Sequence, residues 1–216
     1  MYIVAYNKVG MEQQSVEYAG NPTITQIQRV QASFYDQTPK NIFFKTDQKF
    51  KCAQSVSSQI NIDRLIEHTT WIIPGTNRVF FDYLVFKTYA CPDNFYTVVD
   101  KIVGLCCDCS NTWGSFEFHL NMDTFSISAV ERYKSAIVLF SDECMRRNTG
   151  FAQTLSGMYL YNIPRVMDQV AHMLKPMIIP EIYSKFILFD KKDSPERLRT
   201  LFVYNQSAAS HANNPP

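Results

Sequence analysis

The segment that decides the fold is LYNIPRVMDQVAHMLKPMIIPEIYSKFILF, residues 160–189. It opens at the end of a predicted strand (residues 157–161) and closes with another (residues 186–189). Pro164 suits the first turn of a helix, because proline lacks a backbone N–H and its φ is fixed near the helical value. Pro176 should end or kink that helix. The segment therefore predicts a strand–helix–strand unit. One side of the helix carries apolar residues at helical spacing, namely Val166, Met167, Val170, Leu174 and Ile178.

The same alternation extends towards the N-terminus. Residues 77–86 are rich in Val, Phe and Tyr, and residues 115–121 alternate apolar with polar side chains; both patterns predict strands. A helix is predicted over residues 93–109. A second is expected to begin near Ser128, whose capping box with Glu131 would satisfy two free backbone N–H groups. With a last helix from residue 194, the order is β-α-β-α-β-α-β-α. This order predicts an α/β fold with a mostly parallel sheet and crossover helices.

The first 60 residues are harder to interpret. A strand is predicted over residues 2–6 and a short helix over residues 23–35, while residues 36–60 are polar and receive no assignment. The stretch NIDRLIEHTTW, residues 61–71, predicts a helix capped by Asn61. The last residues are small and polar and predict a mobile tail. The chain accordingly divides into an atypical N-terminal extension (residues 1–60), a β/α domain (residues 61–203) and a flexible tail (residues 204–216).

Composition narrows the classes of function. The 216 residues carry 21 basic and 20 acidic side chains, which argues against broad electrostatic binding of nucleic acid. No run of 18 apolar residues predicts a spanning helix. The N-terminus lacks the length and cleavage site of a secretory signal. Six cysteines are too few for a disulfide framework, which favours a reducing compartment. We therefore expect an intracellular protein, cytoplasmic or on a membrane surface.

Motifs for catalysis are weak. Cys106 and Cys109 have C-x-x-C spacing but lie at a predicted helix end, where the helix dipole disfavours a thiolate. No second cysteine pair completes a zinc site. The chain has no nucleophile elbow and no glycine-rich phosphate loop. A Ser–His or Cys–His site stays open, since such partners meet only in space. We expect no enzymatic activity, no cofactor and no metal.

The deciding segment also resembles the signature of the CRAL-TRIO lipid-binding family. In that family a strand ends in N-x-P, an apolar residue follows, a helix reaches K-P, and a basic residue precedes the next strand. A weaker likeness extends over residues 61–203. The family's Asp-Gly turn is replaced by Asp123-Thr124, its Tyr-Pro-Glu stretch by residues 151–157, and its N-terminal helical bundle is not evident. The residues that carry the resemblance are Asn162, Pro164, Met167, Lys175, Pro176, Met177 and Lys185.

The resemblance implies an apolar cavity over the sheet, covered by a lid near residues 176–185. Methionine-rich sequence suits such a pocket, although it also suits ordinary core packing. Which strand face looks inward stays open, because one step of register inverts it. Lys185, Lys191 and Lys192 could contact anionic lipid headgroups or could be solvated charges beside Asp190 and Asp193. The expected cavity walls are Phe118, Leu120, Tyr159, Tyr161, Met167, Val170 and Leu174, with Met177, Ile178, Ile179 and Ile182 on the lid.

The sequence therefore leaves two non-enzymatic functions as the main hypotheses. The first is non-enzymatic binding or transfer of a lipid or other hydrophobic small molecule, at a peripheral membrane surface if exchange occurs there. The second is a ligand-free structural subunit of a larger complex, with side chains filling the cavity. Such a complex could be associated with a membrane, for example a mitochondrial one. A ligand-binding protein should show a dry, connected cavity behind the lid. A scaffold should show bulky aromatic side chains in that space.

Overall fold

The computed structural model describes residues 21–38, 45–147, 150–164 and 167–211. The strand predicted over residues 2–6 lies outside these residues. The elements are α1 Pro22–Gln37, α2 Lys45–Gln59, α3 Ile62–Glu67, β1 Thr70–Ile72, β2 Arg78–Asp82, α4 Tyr83–Tyr89, α5 Phe95–Trp113, β3 Phe116–Asn121, α6 Ile127–Arg146, α7 Phe151–Thr154, β4 Leu155–Ile163, α8 Met167–Leu174, a 3₁₀ turn Lys175–Met177, α9 Pro180–Tyr183, β5 Phe186–Asp190 and α10 Ser194–His211.

The five strands form one sheet in sequence order, β1-β2-β3-β4-β5. Strand β1 pairs antiparallel with β2, and the other three pairs are parallel. The register places Phe118 beside Val79 and Met158, and Met158 beside Phe186. Each parallel pair is joined by a helical crossover, and parallel crossovers have one hand. The predicted α/β fold with a mostly parallel sheet is therefore confirmed, and β1 is an antiparallel addition that the sequence pattern did not indicate.

The strand predicted over residues 77–86 is half as long as expected. Strand β2 ends at Asp82, and the remaining apolar residues form α4. The side chain of Asp82 caps this helix, since its Oδ1 accepts the backbone N–H of Leu84 at 2.8 Å. An apolar run alone does not distinguish a buried strand from a buried helix. Asp82, a short polar residue in the middle of the run, ends β2 and begins α4 by capping it.

Two other helix boundaries differ from the sequence pattern. The N-cap of α6 is Ser126, not Ser128, and its hydroxyl lies 3.1 Å from that of Ser128 rather than on a backbone N–H. The capping box with Glu131 is therefore not formed, because the helix begins before Ser128. The helix expected from Pro164 is described from Met167 and gives way to the 3₁₀ turn at Lys175. Pro176 lies inside that turn and ends the α-helix as predicted.

The N-terminal extension contributes helices to the core. Asn21 caps α1 by accepting the Thr23 N–H at 2.9 Å. Helix α2 spans most of the stretch without an assignment; its buried stripe is only Cys52, Ala53 and Val56, so its periodicity is faint. Asn61 caps α3, as predicted, through the Arg64 N–H at 3.1 Å. At the other end, α10 continues to His211, through much of the expected tail.

The sheet has two covered faces with different chemistry. Helices α5, α6 and α8 cover one face and form the large core with α1–α4. Helix α10 covers the other face over a smaller cluster, in which Leu198 and Leu201 pack near Phe80 and Tyr161. Because alternate residues of each strand point to opposite faces, β2, β4 and β5 contribute apolar side chains to both cores, whereas β3 contributes them to the larger core alone.

Candidate functional site

A cavity of about 160 Å³ lies between the sheet and the helices of the larger core. It is partly open rather than sealed. Strands β2–β5 supply its floor and helices α4–α6 its walls, while the segment from α8 to α9 closes one side. The lining residues are Phe81, Tyr83, Phe86, Val99, Ile102, Phe118, Leu120, Met122, Phe125, Tyr133, Ala136, Ile137, Phe140, Ser141, Met158, Leu160, Leu174, Ile178, Ile182 and Phe186.

The cavity wall is almost purely apolar. Among the lining residues only Tyr83, Tyr133 and Ser141 carry a polar side-chain atom. A cavity without convergent polar partners does not hold ordered water well, and apolar cavities of this size stay dry or take apolar molecules. The surface of the cavity is therefore suited to burying an apolar group.

The strand residues expected in the cavity wall divide between the two faces. Phe118 and Leu120 line the cavity, as do their neighbours Met158 and Leu160 on β4. Tyr159 and Tyr161 do not, and this prediction is corrected: they alternate with the lining residues and point to the α10 face. There the Tyr159 ring stacks on His119 with centroids 4.6 Å apart. The Tyr161 hydroxyl lies 2.9 Å from Nδ1 of the same histidine.

Of the four residues expected on the lid, Ile178 and Ile182 line the cavity, as does Leu174 of the expected wall. Met177 and Ile179 are partly buried against the surrounding core. Val170 is fully buried in that core but is not among the lining residues, so it supports the wall from behind. The side chain of Met167 lies outside the described residues. A role for any of these residues in ligand contact stays a prediction.

The three lysines predicted to contact headgroups have different surroundings. The Lys185 ammonium donates to the backbone carbonyls of Ala152 and, at 2.6 Å, Leu155. Lys185 therefore links α7 to the start of β5. The prediction that its ammonium is free to contact a headgroup is corrected. Lys191 pairs with Asp123 at 2.8 Å. Lys192 is exposed at the surface.

The N-x-P motif has a structural role in this chain. Asn162 has a φ of 56° and is buried. Asparagine tolerates this left-handed conformation better than most residues. Its side-chain amide donates to Asn121 Oδ1 at 2.9 Å, and its backbone N–H donates to the Ser194 hydroxyl at 2.6 Å. The motif thus joins the ends of β3 and β4 to α10. Pro164 follows this bend, while Lys175 and Pro176 are exposed on the lid side.

The cysteines are all unpaired thiols. Burial raises the pKa of Cys106 well above its ordinary value and also raises that of Cys109, so both remain protonated thiols. No cluster of three or more His, Cys, Asp or Glu side chains within the described residues could hold a metal ion.

Sequence reasoning missed most of the helical wall. Val99, Ile102 and Ile137 could have been found, because helical periodicity already marks them as inward-facing. Tyr83 and Phe86 could not, since they were assigned to a strand. The remaining wall depends on which strand face meets the helices, and that is a property of packing rather than of local sequence.

Comparisons with known proteins give little further information. No family model matches the chain, and no curated protein matches it. Among solved structures the chain is similar to the crystal structure of Sfh5, a protein of the Sec14/CRAL-TRIO family. The identity is 12%, the match covers 87% of this chain and 72% of that chain, and the TM-score is 0.39. So distant a likeness carries no argument about function. In the described part of the chain, no helix has the length and apolar character needed to span a membrane.

Proposed function

We propose that this chain is a non-enzymatic protein that binds a hydrophobic small molecule, or the apolar part of a lipid, in the cavity between the sheet and helices α5 and α6. The observation that supports this proposal is the apolar cavity itself, lined by about twenty side chains of which three bear polar atoms. Filling such a space stabilises the bound state through apolar burial, without any directional contact.

The volume of the cavity sets the size of the ligand. At about 24 cal/mol per Å³, the roughly 160 Å³ of empty space is worth about 4 kcal/mol. That free energy corresponds to a dissociation constant of about 1 mM. The cavity as it stands therefore fits a group about as large as benzene. A longer chain bound more tightly requires the cavity to widen.

The segment from the 3₁₀ turn to α9 is the part of the wall best suited to move. It comprises a three-residue turn and a four-residue helix, and it contributes Ile178 and Ile182 to the lining. Such short elements have few internal backbone hydrogen bonds and open at lower free energy than long helices. We infer that residues 176–185 act as the lid through which ligand enters and leaves.

The test is a titration of the purified chain with benzene and with 1-decanol, followed by two-dimensional NMR of the methyl groups. We expect saturable shifts confined to lining residues. Ala136→Leu places three carbons into the cavity and should abolish the benzene shifts. Ala32→Leu makes the same change on the exposed surface of α1 and should leave them intact. Absence of saturable binding of both probes to the unmodified chain would overturn the proposal.

A ligand-free structural subunit is the second candidate, and one observation favours it. Eight aromatic rings, six of Phe and two of Tyr, belong to residues that line the cavity. If neither probe binds and the chain purifies in fixed stoichiometry with other proteins, the aromatic side chains serve as core and the structural role replaces ligand binding.

A further inference from the structure

Two basic side chains lie over lining rings at one end of the cavity, and a third, the exposed Lys49, is near enough for its charge to act on Lys87. We name Lys49 of α2, Lys87 of α4 and Arg132 of α6 the basic cluster. The Lys87 ammonium lies 5.9 Å from the centre of the Tyr83 ring, and the Arg132 guanidinium carbon lies 5.5 Å from that of Tyr133. Both tyrosines line the cavity. The rings of Tyr83 and Tyr133 therefore separate Lys87 and Arg132 from the apolar cavity.

Polar groups also approach the cavity at this end. The Lys87 ammonium donates to the Thr124 hydroxyl at 2.6 Å, and Thr124 stands between the lining residues Met122 and Phe125. The Tyr133 hydroxyl donates to the backbone carbonyl of Lys87 at 3.4 Å. An apolar wall and a polar, cationic margin thus meet at the rings of Tyr83, Phe125 and Tyr133.

The charges of the basic cluster act on one another. Burial lowers the pKa of Lys49, and the positive charge of Arg132 and that of Lys45 lower it further. Burial also lowers the pKa of Lys87. The negative charges of Asp123 and Asp82 raise this pKa, and the positive charges of Lys49 and Arg132 lower it further. Like charges held this close repel, and a bound anion removes the repulsion.

In the described part of the chain, the basic cluster has no partner of opposite charge at contact distance. Within the described residues, none of its members forms an ion pair, whereas Asp123 is taken up by Lys191 at 2.8 Å. The Nε atom of Arg132 is buried and donates to no acceptor. A buried donor without an acceptor is destabilising, and an anionic oxygen would satisfy it. Geometry and charge at this end both favour a negatively charged group.

We propose that the basic cluster binds the anionic head of the ligand whose apolar part occupies the cavity. This inference rests on the proposed function and specifies its ligand class: an amphiphile with a carboxylate or phosphate head and an apolar tail. The head contacts Lys49, Lys87 and Arg132. The rings of Tyr83, Phe125 and Tyr133 pack edge to face, with the Tyr83 centroid 5.0 Å from that of Phe125 and 6.0 Å from that of Tyr133, so they must separate for the tail to enter the cavity.

The test compares 1-decanol, decanoate and inorganic phosphate by isothermal titration calorimetry at low ionic strength. The unmodified chain should bind decanoate at least tenfold more tightly than decanol, as expected for charge-assisted hydrogen bonds. Lys49→Gln and Arg132→Gln should each weaken decanoate binding about tenfold and leave decanol binding unchanged. The matched controls Lys51→Gln on α2 and Lys134→Gln on α6 remove the same charge elsewhere and should alter neither affinity.

The outcomes separate the two proposals. Equal affinities for decanol and decanoate, with no effect of Lys49→Gln, would overturn the anionic head while leaving the apolar cavity in place. Phosphate binding that is lost in Lys49→Gln and does not compete with decanoate would assign the basic cluster to a free anion and overturn this inference. Failure of both decanol and decanoate to bind would overturn the cavity proposal and this one together.

Discussion

Filling the cavity from within should stabilise the protein. Ala136 lies on α6, is buried and lines the cavity, so Ala136→Leu adds three carbons to empty space. At about 0.8 kcal/mol per buried carbon, the gain approaches 2.4 kcal/mol. Ordering the leucine side chain costs about 0.5–1 kcal/mol. The free energy of unfolding should therefore rise by about 1.5 kcal/mol, which raises Tm by about 3–6 °C for a chain of this length.

The matched control is Ala129→Leu, on the same helix. Ala129 is 1% exposed and does not line the cavity, so the same three carbons meet close-packed neighbours. Overpacking of this kind destabilises by about 1–3 kcal/mol. Urea denaturation followed by tryptophan fluorescence gives both free energies. If Ala136→Leu destabilises as much as Ala129→Leu, the space beside Ala136 is not empty and the reasoning from cavity volume is refuted.

Two further predictions concern the α10 face of the sheet. Gly157→Ala should lower the free energy of unfolding by about 1 kcal/mol, because a Cβ at this position would lie 2.9 Å from the Tyr159 ring. The control Gly104→Ala, in α5, places its Cβ in open space and should raise the free energy of unfolding by about 1 kcal/mol. Equal urea midpoints for the two variants would contradict this prediction. Burial lowers the pKa of His119, so the unfolded chain binds a proton more readily and stability is lost as the pH falls below about 6.5. His119→Gln should flatten the decline between about pH 7 and 5; an unchanged slope in this variant would count against a buried neutral imidazole.

The order of strands and helices could be predicted because it follows from local patterns. Alternation at residues 115–121 and helical spacing at residues 93–109 both survive in the structure, as β3 and α5. Boundaries were less accurate where a single polar group decides, as Asp82 does at the end of β2. Helix α2 was missed because its buried stripe is three residues wide.

The site was only partly predictable for a different reason. Local sequence shows that Phe118 and Tyr159 each alternate with their neighbours, but not which set faces the crossover helices. That choice depends on where α10 packs, and Tyr159 lies on its side. The sequence predicts that Lys185 is a surface charge available to a headgroup, yet its ammonium donates hydrogen bonds to two backbone carbonyls. Such contacts between distant segments leave no local pattern.

The proposed anionic ligand would contact the cavity both at the basic cluster and at the proposed lid. The lid segment contributes Ile178 and Ile182 at one side, and the basic cluster stands at the Tyr83 and Tyr133 side. An amphiphile oriented by its head would present its tail to the lid. Exchange would then require the apolar lid residues to leave the cavity, a step that an apolar membrane surface favours over water.

The most direct measurement is native mass spectrometry of the gently purified protein, followed by organic extraction and identification of any released molecule. The account predicts one small amphiphilic or apolar molecule per chain, released on extraction and absent from the Ala136→Leu variant. A ligand-free chain recovered in fixed stoichiometry with partner proteins would contradict it and establish the structural role instead.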